Sequence, residues 1–182
     1  MKVSKEELNV LKQEYAKSQK FGAHFISASL IIWIFILIVS KTGLSQYYKN
    51  ALSLYSSALL VPLALLFAKL YKIKFSDKEN PLNVAGIVFA LNQMLYLLVV
   101  ILVWLVKPEQ MLTAYAIVVG AHFLPYSWLY NSVIYRIVAI AIPILVFALA
   151  LLHVTGIIPI VMVLADAFMI VAFLKISSRK NQ

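Results

Sequence analysis

The sequence predicts an all-α membrane protein, a bundle of six transmembrane helices preceded by an amphipathic helix, with both termini in the cytoplasm. Three observations carry this. First, the 182 residues are 63% hydrophobic and only 13% charged, with a mean hydropathy of +0.92, whereas soluble domains run at roughly 45–50% apolar and about 25% charged. Second, the apolar residues gather into six stretches long enough to cross a bilayer core of about 30 Å, which takes about 20 residues of helix. Third, the basic residues alternate between rich and poor segments. Five precede Phe21, two lie in 41–50, four in 69–78, one at Lys107, one at Arg136, none between the fifth and sixth stretches, and three from Lys175 on. With successive segments on opposite sides, one side collects 13 and the other 3, the positive-inside pattern.

The net charge of +9 does not point to nucleic acid, because these charges are spread through short loops with no folded module to present them. Membrane lipids are the expected surroundings. Cysteine is absent, which excludes disulfides, thiolate metal sites and cysteine nucleophiles. Neither a histidine-rich metal set, a phosphate-binding glycine loop, a paired intramembrane carboxylate nor a serine elbow occurs, so no cofactor and no metal are expected.

Residues 1–20 form the first element. In "SKEELNVLKQEYAKSQK", Ser4 and Glu7 have capping-box spacing, and Leu8, Leu11 and Tyr15 recur at helical intervals to give one apolar stripe. Its polar stretch mixes lysines with Glu6, Glu7 and Glu14, unlike a cleavable signal; it is expected either to lie at the cytoplasmic interface or to be a short solvated helix that only orients the first span. The membrane domain, 21–175, then comprises Phe21–Ser40, Ala51–Tyr71, Leu82–Val106, Met111–Asn131, Ile137–Val154 and Ile157–Leu174. Asn80-Pro81 and Lys107-Pro108 look like caps with proline at the first helical position. The last four spans are joined by a few residues each, so sequence neighbours should pack as antiparallel neighbours. A basic tail, 176–182, closes the chain.

Asp166 is the residue least at home in these spans, near the centre of "IIPIVMVLADAFMIVAFL". A carboxylate there costs about 2.5–3.5 kcal/mol even on the permissive insertion scale. Protonation, a hydrogen-bonded partner or access to water must offset it. Counting about 1.5 Å per residue from the cytoplasmic ends puts Asp166 about 12 Å up, His122 about 14 Å and Asn92 about 15 Å. One polar layer on spans three, four and six is therefore expected, with Gln93 one step higher and Tyr96 able to share a face with Asn92 or Gln93. On span four, Tyr115, His122, Tyr126 and Tyr130 fall within about 80° of arc. Pro125 leaves the carbonyl of Ala121 without its donor, as Pro62 and Pro143 do for Ala58 and Ala139. Trp128, Tyr130, Tyr135 and Arg136 fit an aromatic belt with a snorkelling arginine, and His24 and His153, near span ends, are expected at headgroups or water. "GAHFIS" at Gly22–Ser27 nearly recurs as "GAHFLP" at Gly120–Pro125, but the prolines of the two halves do not align, so chance explains the match.

The stretches "KENPLN", "LNQMLYLL" and "KPEQMLTAYAIVVGAHFLPYSWLY", about residues 78–130, resemble a family of small bacterial multi-pass membrane proteins known as a domain of unknown function. The resemblance implies a bacterial cytoplasmic membrane and supplies no activity or site residue. The residues themselves suggest a pocket between spans three, four and six for a small apolar or weakly basic ligand, or a proton, serving transport or sensing. In it Asp166 would be the titrating acceptor, His122 its proton partner, Asn92 and Gln93 orienting groups, and Tyr96 and Tyr126 aromatic walls. Two other classes stay open: an assembly or partner-binding protein whose polar groups are structural, and an intramembrane enzyme, for which a second catalytic group is missing. At 20.5 kDa the chain is small for a stand-alone transporter, which leaves room for a homodimer.

Overall fold

The computed structural model of the chain describes residues 4–75 and 80–179. The N-terminal helix, Lys5–Ser18, opens on a capping box in which Ser4 Oγ accepts from the Glu7 amide at 3.1 Å and Glu7 Oε2 accepts from the Ser4 amide at 2.7 Å. Six apolar helices follow: span one Lys20–Ser40, span two Gln46–Leu70, span three Leu82–Val106, span four Pro108–Leu129, span five Val133–Leu151 and span six Thr155–Ser178. Among the described residues there is no strand.

The N-terminal helix packs onto the bundle. Tyr15 and Ala16 are buried, and Leu8 and Leu11 pack on the core. The Asn80 amide donates to the carbonyl of Leu11, and Gln19 donates to that of Lys74, so the helix lies across the end of the bundle where the link between spans two and three begins and ends. The same end holds the hairpin between spans four and five, because Tyr15 stacks on Tyr130 at 5.7 Å and Lys12 Nζ sits 3.5 Å over the Trp128 ring. The stem of Lys12 is covered and its ammonium only partly withdrawn from water, a desolvation that lowers its pKa from the usual 10.5.

Between this helix and span one the chain turns through three consecutive left-handed residues, Lys20 (φ 44°), Phe21 (φ 55°) and Gly22 (φ 71°). Such residues are unfavourable by roughly 1–2 kcal/mol each when they carry a Cβ. The turn is clamped on several sides: Tyr135 Oη donates to the Phe21 carbonyl at 2.8 Å, Lys20 Nζ to that of Tyr71 at 2.7 Å, and the Gly22 amide to that of Gln19 at 2.8 Å. A Cβ on Gly22 would lie 3.0 Å from Tyr130 Oη and 3.2 Å from Tyr135 Oη. Gly120 of the near-repeat does something else, letting span five approach until a Cβ there would meet Ile142 Cγ2 at 2.7 Å. The two "GAHF" segments thus serve different backbone needs.

Packing follows the order two, one, six, five, four, three: span one lies against both span two and span six, span six also touches spans five and four, and span four carries spans five and three. Span one is the most buried of the six and span three the least. The serial hairpins expected for spans three to six are present, but spans two and three, although consecutive, do not pack closely. The ring of helices is therefore open on one side. Span two also carries a 3-10 turn, Ser57–Leu59, just ahead of Pro62, where the proline has no N–H for the carbonyl of Ala58. Its irregular segment borders the gap.

Candidate functional site

A cleft of about 470 Å³ occupies the opening between spans two and three and reaches inward to spans one and four, a volume within the roughly 300–1,000 Å³ usual for small-molecule sites. Its back wall is aromatic, with Phe25 and Trp33 from span one and Tyr115, Phe123 and Tyr126 from span four. Trp33 stacks on Tyr115 at 5.4 Å. At its mouth Val61 of span two and Ile87, Leu91 and Met94 of span three are exposed while also lining the cleft, so it opens sideways at the depth of the hydrocarbon. Above, Tyr47 and Trp104 bring spans two and three together, with ring centroids 5.4 Å apart. Below, Phe75 closes over Phe25 and His24. A smaller cup of about 140 Å³ at the opposite end of the bundle contains Asn50, Glu109 and Thr155, but its Asn50 is already held by Gln46 and by the carbonyl of Pro108.

Within the apolar cleft the polar side chains are few: Ser29, Ser57, Gln93, His122 and the tyrosine hydroxyls. Tyr126 Oη donates to the carbonyl of Gly86 at 3.3 Å and holds span three to span four. The Tyr115 hydroxyl interacts with Ser57. In contrast, Gln93 Oε1 and His122 Nδ1 are buried and have no hydrogen-bond partner among the described residues. The His122 ring stands edge-on to Tyr126, 5.1 Å between centroids, so packing fixes its plane while one nitrogen stays unsatisfied. Each such group is unfavourable by about 1–3 kcal/mol until something pairs with it.

Of the residues expected to form one site, Gln93, His122 and Tyr126 meet in this cleft, and Tyr115 and Tyr130 line it on the same face of span four. Asn92 and Tyr96 do not. Asn92 is half-buried outside the lining, and Tyr96 is 46% exposed on the outer surface of span three. Asp166 is also elsewhere. Span six lies against span one and makes no comparable contact with span three, so the layer shared by depth does not become one hole between spans three, four and six. Depth along a helix axis says nothing about azimuth, and the bundle order decides the rest.

Three other expectations need correction. Tyr130 and Tyr135 are not belt residues: they are 6% and 2% exposed and belong to a buried stack in which Tyr15, Tyr130, Tyr135 and Phe173 follow one another at 4.9–5.7 Å. The docked N-terminal helix covers what would otherwise be the membrane surface. Trp128 and Arg136 remain exposed. His24 is 1% exposed, with neither ring nitrogen paired among the described residues, because Phe25 and Phe75 seal it in.

Asp166 is fully buried and neither carboxyl oxygen makes a hydrogen bond of ordinary geometry among the described residues. Ser29 of span one is the hydroxyl that acts on it, near enough for electrostatic influence but short of hydrogen-bond geometry. The hydroxyls of Tyr115 and Tyr135 lie within electrostatic reach. All three of these neighbours line the cleft, so the acid stands behind its wall. Ser29 and Ser57 were not singled out from the sequence. A serine in an apolar span also pairs with its own backbone, as Ser40, Ser53 and Ser57 do here, so its presence alone marks nothing.

Residues 8–175 match a family described as "Family of unknown function (DUF7010)", and the chain belongs to that family. No curated protein and no solved structure matches the chain.

Proposed function

Starting from a member of a family of unknown function, we propose that the chain binds a small, mainly apolar molecule carrying one hydrogen-bonding group, taken up sideways from the lipid between spans two and three. What supports this reading is the pair of unsatisfied atoms, Gln93 Oε1 and His122 Nδ1, buried in an otherwise apolar cleft. A ligand hydroxyl, amide or carbonyl would satisfy one or both, while its apolar body would lie against Trp33, Phe123 and Tyr126. A mouth at hydrocarbon depth selects molecules already dissolved in the bilayer, and both transport and sensing of such molecules can begin with this step. The basic end of the bundle, where the N-terminal helix docks, is proposed to face the cytoplasm of a bacterial cell.

Detergent-purified protein titrated with 2-naphthalenemethanol tests the reading. It is expected to raise the melting temperature by several degrees, and more than 2-methylnaphthalene, which has the same rings without the hydroxyl. His122→Phe should abolish the difference between the two compounds. Ala90→Trp, at an exposed position of the lining, should obstruct the cleft and remove both responses. Equal responses from both compounds in the unaltered protein and in Ala90→Trp would overturn the proposal.

A further inference from the structure

The acid behind the cleft wall has no role in that reading. Asp166 is 0% exposed with neither oxygen in a hydrogen bond of ordinary geometry among the described residues, and the groups that act on it or feel it are hydroxyls: Ser29 from span one, Tyr115 from span four and Tyr135 from span five. Among the described residues every lysine and arginine lies in the N-terminal helix, in a link or within about two turns of a span end, so no permanent counter-ion to the acid is found among them. An ionised carboxylate in such a place is strongly disfavoured, whereas a neutral carboxylic acid is tolerated. Purely structural polar glue would be expected to form the bonds this carboxyl lacks.

We propose that Asp166 carries a proton when the cleft is empty and exchanges it for a lipophilic cation bound in the cleft, with Ser29 standing between the two. This rests on the cleft being a binding site. In the exchange the O–H bond of the carboxyl breaks, the proton is released to bulk water, and the cation takes its place as counter-charge. The net charge of the buried region therefore stays at zero, a neutral acid before and a balanced carboxylate and cation after, with one proton released for each cation bound. Low dielectric makes the attraction effective across the Ser29 hydroxyl without direct contact, and the aromatic faces of Trp33, Tyr115 and Tyr126 suit a cation.

Binding of tetraphenylphosphonium, measured from pH 5.5 to 8.5 on the purified full-length protein, tests the exchange. Affinity is expected to tighten with rising pH, approaching tenfold per unit where the acid is protonated in the free protein, with protons released into weakly buffered solution. His122 also lines the cleft, and its protonation would repel a cation with the same sign of pH dependence, so variants decide between them. Asp166→Asn should flatten the profile and abolish proton release while leaving 2-naphthalenemethanol binding intact, and His122→Gln should keep the pH dependence and the proton release. If Asp166→Asn does not fold, Ser29→Ala gives the second reading: cation affinity falls several-fold and the neutral probe is unaffected. A profile unchanged by Asp166→Asn, or one flattened by His122→Gln instead, overturns the exchange. Binding of the neutral probe with no binding of the cation overturns it too, yet leaves the proposed function standing, whereas loss of both points to failure of the cleft itself.

Discussion

Tyr135 shows how much one side chain does in this fold. Its hydroxyl donates to the Phe21 carbonyl, its ring stacks on Phe173 at 4.9 Å, and it stands beside both the left-handed turn and Asp166. Tyr135→Phe keeps the ring and removes one buried hydrogen bond, leaving a carbonyl orphaned at a strained turn. A loss of about 1–2 kcal/mol is expected, read as a drop of a few degrees in melting temperature; no change would mean that the clamp is dispensable. Gln93 and His122 make the opposite case, since Gln93 Oε1 and His122 Nδ1 are buried and unpaired among the described residues. The residue types were visible in the sequence as polar intruders in apolar spans. Which of them would be satisfied was not, because satisfaction depends on a partner from another helix.

At the scale of elements, close helix approach has a single-residue handle. Spans four and five pack so tightly at Gly120 that an added Cβ would lie 2.7 Å from Ile142 Cγ2 and 3.1 Å from Pro143 Cδ. Gly120→Ala should destabilise the protein by about 1–3 kcal/mol through overpacking, and Ile142→Ala in the same background should recover part of that loss. Gly43→Ala, where nothing lies within 4 Å, serves as the control and should stay within about 0.5 kcal/mol. Thermal denaturation of the four proteins decides it, and equal stability of both glycine variants would contradict the packing argument. Span lengths, and proline at the first helical position after Lys107, were legible because they depend on local composition; at span three Pro81 itself precedes the first helical residue, and Asn80 Oδ1 accepts from the Leu82 amide. The three-residue turn at Lys20–Gly22 was not, since only Gly22 announces a left-handed conformation and the clamps come from Tyr71 and Tyr135, distant in sequence.

For the whole molecule, the alternation of spans puts the N-terminal helix, the link between spans two and three and the hairpin between spans four and five at one end. Gly43 and Gly156 belong to the other end. The absence of cysteine makes single introduced cysteines clean reporters. In right-side-out vesicles an impermeant thiol reagent should label Gly43→Cys and Gly156→Cys, whereas Asn131→Cys should react only after permeabilisation; the reverse pattern would invert the proposed orientation.

Six apolar spans, the amphipathic helix at their start and the uneven distribution of charge were determined by the sequence alone, because each follows from free energies of transfer that act on segments one at a time. Tertiary structure alone decided the order of the bundle, the gap between spans two and three and the company of each polar group. Hydrophobicity along a span sets whether it enters the membrane and how deep each residue sits. It leaves rotation about the helix axis and the choice of neighbours to interhelical packing, and those placed Gln93 and His122 in an open cleft and Asp166 behind its wall.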